Sequence, residues 1–257
     1  MSWWRGAVLV GILCAALLTT CGCGAAEPAT ADGLLRAALW QLARDIEQDT
    51  TVTFQDRAVY RVKTDETSGA LRGVTEVDLQ PPAKGRLVAE LILTGCFSES
   101  GDRSETTGTA ITVDGGETFY ARFPGQPWEA GAEGFSMEVN YERFFALFEE
   151  AGDCAFVEDP SLQRAGCRVI RCRPDTVGLM SSSAPEAFAA GFGEEDLAEL
   201  GEAWALVWVR LADNRLQRVE MEVRIEKPGL GTWSVRFECE LTGWGEAIEP
   251  PIEAPAL

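Results

Sequence analysis

The strict alternation of apolar and polar residues between Arg218 and Leu241 most constrains the fold. Val219, Met221, Val223 and Ile225 alternate with Arg218, Glu220, Glu222 and Arg224. After Pro228-Gly229, Trp233, Val235, Phe237, Cys239 and Leu241 alternate with Ser234, Arg236, Glu238 and Glu240. Successive side chains of a strand point to opposite faces, so each segment has one dry and one wet face. Joined by a short turn they form an antiparallel hairpin whose dry side must be covered by helices or by a ligand.

The same period recurs upstream. Val52 and Phe54 open a strand that resumes through Ala58, Tyr60 and Val62; Thr75, Val77 and Leu79 alternate with Glu76 and Asp78; Leu87, Ala89, Leu91 and Leu93 follow Pro81-Pro82. Thr107 to Val113 and Glu117 to Phe123 flank Asp114-Gly115-Gly116, a hairpin signal. Arg168 to Arg173 reads as a further strand, and Ala205, Val207 and Val209 lead to a turn at Asp213-Asn214. An antiparallel meander is expected.

Three segments carry helical periodicity instead. Asp32 is the expected cap of a helix to about Gln48, with Leu35, Ala38, Leu39, Leu42 and Ile46 on one face. Asn140 is the expected cap of a second helix ending at Gly152, in which Tyr141, Phe144, Phe145 and Phe148 form an aromatic stripe. That stripe reads either as a lid packed on the sheet or as the wall of a hydrophobic pocket. Ser183 and Glu186 open a third helical region carrying Phe188 and Phe192, weakened by Gly191, Gly193 and Gly201.

The N-terminus bears on location. Ala7 to Leu18 is an apolar run of twelve residues, short of the ~20 that span a bilayer but suited to a signal peptide. Leu18-Thr19-Thr20-Cys21 places an apolar residue three positions before a cysteine, as a lipoprotein signal does, with Thr where Gly, Ala or Ser is usual; the alternative, Thr20-Cys21-Gly22-Cys23, has the small Gly but no apolar residue. Residues 1–20 are thus expected to be a lipoprotein signal peptide, 21–31 a lipidated tether, and 32–257 a single domain with a Pro-rich, extended tail. Lipidation at Cys21 leaves six thiols after the signal, and lipidation at Cys23 leaves five. Among them, Cys154 can face Cys172 or Cys167 across a hairpin turning near Asp159-Pro160.

Composition narrows the function. A formal net charge of −19 repels phosphate backbones and anionic headgroups, which disfavours nucleic-acid binding. The absence of histidine removes the commonest general base and the usual zinc and copper ligands. Ser181, Ser182 and Ser183 stand in no nucleophile elbow. No enzyme, cofactor or metal site is expected.

The order of parts resembles the LppX/LprG-type lipoproteins and related Gram-positive lipoproteins, which share the half-barrel of the Lol-system lipoprotein carrier. The residues that carry the likeness are Val113 to Tyr120 (VDGGETFY), Gln126 to Glu129, Trp208 to Leu216 and the closing Ile248 to Pro255. What the resemblance implies is an α+β fold: a curved antiparallel β-sheet, or half-barrel, with helices packed on its concave face.

The expected function is that of a membrane-anchored, extracytoplasmic carrier or chaperone for a lipid or other hydrophobic molecule. The expected pocket is formed by Tyr141, Phe144, Phe145, Phe148, Phe188, Phe192, Leu39, Val223 and Phe237. A monomer is expected, touching the membrane only through its lipid. The rival reading is a cell-envelope scaffold or sensor subunit with a filled core and a protein partner.

Overall fold

The computed structural model describes residues 30–63, 68–80, 84–96, 98, 100–113, 118–131, 145, 147–174, 202–227 and 231–256. Cys21, Cys23, Tyr141, Phe144, Phe188 and Phe192 lie outside them.

Helix α1 runs over Ala31–Glu47. Its cap is Thr30, not Asp32: the Thr30 hydroxyl accepts the Gly33 N–H at 3.1 Å, which satisfies one of the donors a helix start leaves open. Asp32 sits in the first turn and accepts from Arg36 one turn on. The earlier start brings Ala31, assigned to the tether by sequence, into the buried face with Leu34, Leu35, Ala38, Leu39 and Leu42.

Two runs of strands make the sheet. The first comprises β1 (Val52–Lys63), β2 (Ser68–Gln80), β3 (Lys84–Gly95), β4 (Ser104–Val113), β5 (Thr118–Arg122) and β6 (Glu129–Ala130). The second comprises β7 (Gly152–Phe156), β8 (Cys167–Arg173), β9 (Glu202–Arg210), β10 (Leu216–Lys227) and β11 (Gly231–Thr242). The strand order is β6-β5-β4-β3-β2-β1-β11-β10-β9-β8-β7. Each run is a meander, and antiparallel pairing of β1 with β11 fuses them into one unclosed sheet. The Asp114 hairpin is expressed as Val113 facing Thr118.

Gly152 opens β7 and does not terminate the preceding helix. The described part of that helix, around Phe145, Leu147 and Phe148, closes with the Glu149 N–H on the Phe145 carbonyl and the Ala151 N–H on that of Phe148. The chain then passes directly into the strand.

Alternation places Phe54, Val77, Val207, Val219, Met221, Cys239 and Leu241 in one buried cluster with the apolar face of α1. Each fully buried side chain of this size contributes ~1.5–3 kcal/mol. α1 contacts β7, β9 and β10, and Val52 and Phe54 of β1 with Val77 and Leu79 of β2 share its buried cluster. The C-terminal tail is docked rather than simply extended. Ile252 is 1% exposed, the Thr51 hydroxyl donates to the Glu246 carbonyl, and Arg86 donates to the Pro250 carbonyl while paired with buried Asp78.

Candidate functional site

On the inner face beyond α1 the side chains become small. Ala58 on β1 stands opposite Gly73 on β2 and Phe237 on β11. A Cβ added at Gly73 would approach Leu91 Cδ2 to 3.2 Å, so this position is glycine where the floor dips. Over that dip lies a cavity of about 220 Å³.

Cross-strand registers define its walls. Tyr60 pairs with Leu71 and Val235, Phe237 with Met221, and Gly73 with Leu91, and all of these line the cavity. Leu147, from the helical turn between β6 and β7, lines it as well. Leu91 and Met221 are four strand positions apart, or about 19 Å along a sheet. Both reach the same cavity, so the sheet curls toward its inner face.

The wall is mostly apolar, with three polar side chains: Asp56, Tyr60 and Thr75. Asp56 and Thr75 face each other across β1 and β2, and Asp56 is 8% exposed. No lysine or arginine is among the described lining residues.

Of the residues expected from sequence to form a pocket, Phe237 lines this cavity. Leu39, Phe148 and Val223 belong to the packed core beside it, with Phe145 against that core. Sequence reasoning did not single out Asp56, Ala58, Gly73 or Leu147. The available signal was a run of small inward positions on neighbouring strands, Ala58 and Gly73, which exposes its meaning only once the register is known.

Elsewhere the chemistry is that of structural pairing. Arg218 on the outer face donates to Glu220 at 2.7 Å and also pairs with Glu240, and it lies over the Trp208 ring. The Arg164 hydrogen bond holds the Glu240 carboxyl below its ordinary value, with Arg218 adding to the effect. Cys154 on β7 and Cys172 on β8 belong to paired strands, while Cys167 pairs in register with Arg210 at the other end of β8. Burial pushes the Cys172 thiol up to about 12 and raises those of Cys154 and Cys167. A nucleophilic cysteine requires the opposite shift.

Among the described residues no group of three or more His, Cys, Asp or Glu gathers to hold a metal ion, and no helix is long and apolar enough to cross a membrane.

No protein-family model matches the chain, and no curated protein does. Solved structures similar to it include three bacterial proteins. A Vibrio parahaemolyticus domain described as an outer membrane lipoprotein-sorting protein has a TM-score of 0.26 and 11% identity, covering 84% of this chain and 94% of that one. A DUF1329 family protein from Desulfovibrio piger has a TM-score of 0.25 and 7% identity, over 84% and 95%. A LolA superfamily protein from Nitrosomonas europaea has a TM-score of 0.23 and 10% identity, over 86% and 95%. Scores of this size transfer neither fold nor role, so the site is read from its own geometry.

Proposed function

We propose that this chain is a non-enzymatic binding protein that takes a small hydrophobic ligand into the cavity over Ala58 and Gly73. It carries or shelters that ligand at the outer surface of a membrane, held there by a lipid on Cys21 or, in the alternative, on Cys23.

The observation that carries the reading is the cavity itself: about 220 Å³, walled mainly by apolar side chains and floored by two of the smallest residues. A fully packed core leaves few voids larger than a water molecule, so a cavity of this size supports the reading as a binder over that of a scaffold with a filled interior. It falls short of the ~300–1,000 Å³ of drug-sized sites but exceeds the ~150 Å³ that admits benzene into an apolar cavity. The ligand is therefore one alkyl chain or one ring system, not a lipid with several chains. At ~0.8 kcal/mol per methylene withdrawn from water, a single chain binds without any directional motif.

Titration with the uncharged fluorophore N-phenyl-1-naphthylamine tests this. Wild type is expected to give saturable enhancement, and Ala58→Leu, which fills the dip, to abolish it while remaining folded. Non-saturable enhancement, or equal binding by the folded variant, contradicts the reading.

A further inference from the structure

We propose that Cys154 and Cys172 form a disulfide site, and that its closure by an external disulfide fastens the edge strand β7 to β8. The structure holds the reduced form, with both thiols free. The bridge is independent of what the cavity binds. The apolar run before Cys21 reads as an export signal, and outside the cytosol disulfides form and persist.

Register brings these two cysteines together and keeps the others apart. Gly152 pairs with Arg173 and Ala155 with Arg171, so Asp153 and Cys154 on β7 stand against Cys172 alone on β8, which makes a bulge. Asp153 takes the extra position, exposed and with a φ of 53°. Cys172 is in the buried cluster and Cys154 packs against it, as Ile170 and Phe156 do two residues away on each strand. Both thiols therefore share the inner face. Opposed residues of an antiparallel pair bring their Cβ atoms as near as ~4.5 Å, the upper end of the ~3.5–4.5 Å that a disulfide spans. After burial, the next influence on the Cys172 thiol is Cys154. Cys167 lies five positions from Cys172 along β8, about 17 Å away. Cys239 lies on β11, three strands from β8, or about 14 Å.

The strand so fastened is the one that needs it. β7 ends the open sheet and is held to β8 by three register pairs, and such edges open locally at low cost. α1 rests on it, and Leu147 of the cavity wall precedes it by five residues. Closure runs by exchange. The half-buried Cys154, as thiolate, attacks one sulfur of the external disulfide, breaks its S–S bond and releases one thiolate, which takes up the proton. Cys172 then gives up its proton and attacks the Cys154 sulfur, forming the internal bond and releasing the second thiol. Two thiols of the chain are oxidised and one disulfide is reduced to two thiols. Burial raises both Cys154 and Cys172, which suits a bridge made slowly and kept, not a rapidly cycling redox centre.

The test treats the reduced full chain with glutathione disulfide at about pH 8, then maps peptides without reduction and follows amide hydrogen exchange. The peptides carrying Cys154 and Cys172 are expected to be joined, lighter by two hydrogen atoms than their sum. Exchange across Gly152–Phe156 is expected to slow at least about tenfold, and dithiothreitol to restore it. Cys154→Ser is expected to show no slowing with the oxidant. A link from Cys154 to Cys167 or Cys239, or both thiols left unlinked, overturns the inference. So does a Cys154–Cys172 link that leaves exchange in β7 unchanged, or a slowing that persists in Cys154→Ser. Oxidised and reduced wild type are the same chain, so the comparison stands even if the variant does not fold.

Discussion

Asp45 and Arg215, 170 residues apart in the chain, form a two-pronged ion pair. Arg215 Nε donates to one carboxylate oxygen at 2.9 Å and a terminal nitrogen to the other at 2.7 Å. Asp45 sits on the buried face of α1 at 1% exposure and also accepts from Gln41. Arg215 leaves the β9–β10 turn, lies over the Trp244 ring and is flanked by Asp213. One guanidinium thus joins the helix, the turn and the start of the tail. Removing one partner strands a buried charge, so Arg215→Ala is expected to destabilise by about 3 kcal/mol. Urea unfolding of the single variants and of Asp45→Leu/Arg215→Leu checks this: the double variant should be less destabilised than Arg215→Ala.

The docked tail makes a second prediction. Ile252 is almost fully buried although the Pro-rich segment around it is exposed. Ile252→Ala is expected to cost about 2–4 kcal/mol, and thermal unfolding would reveal it. A loss within about 0.5 kcal/mol, the range of ordinary surface changes, would mean that the tail only rests on the sheet.

Thiol reactivity follows from burial. Cys96 is exposed, whereas Cys172 and Cys239 are buried, and the Cys172 thiol is pushed up to about 12. The thiolate is the reacting species. N-ethylmaleimide at about pH 8 should therefore modify Cys96 before Cys172 and Cys239 in native protein, and the latter two only after unfolding. Peptide mass mapping over time reads the order directly; equal rates at Cys96 and Cys172 would contradict it.

Acid should weaken the fold through paired carboxylates. Glu240 is held below its ordinary 4.5, chiefly by the Arg164 hydrogen bond. Burial pushes Asp213 up, but hydrogen bonds from Arg210 and the Arg215 backbone outweigh it and leave that carboxyl below its ordinary 3.8. The unfolded state binds more protons near these values, so the stabilisation is full above about pH 4.5. It is lost as pH falls through the lowered folded values. Urea midpoints should fall on the acid side, and Glu240→Gln should flatten part of that fall. An acid limb identical to wild type in Glu240→Gln would count against the pairing.

Much of the sheet was legible because period two is a local property: β10 and β11 follow the alternation of Val219 to Ile225 and Trp233 to Leu241. The pairing of β1 with β11 was not legible, since neither strand states which distant edge it will meet. The cavity depends on that pairing. Its floor residues, Ala58 and Gly73, look like weak strand formers until register places them opposite one another. The aromatic stripe drew attention by its size, yet Phe145 and Phe148 pack with the core and Leu147, lying between them in sequence, reaches the cavity. Leu147 shares the core cluster with Phe148 and lines the cavity at its edge. Capping was displaced by two residues because Thr30 and Asp32 have equivalent chemistry, and burial of Ala31 decides between them.

The central claim, a ligand cavity on the inner face, is tested most directly by methyl-resolved NMR during titration with octanol. Met221 and Leu91, from strands four positions apart, should shift together and saturate at one equivalent. Val74 and Val88, 49% and 42% exposed on the outer face, should not move. Saturable shifts at Val74 and Val88, or none at Met221 and Leu91, would contradict the account.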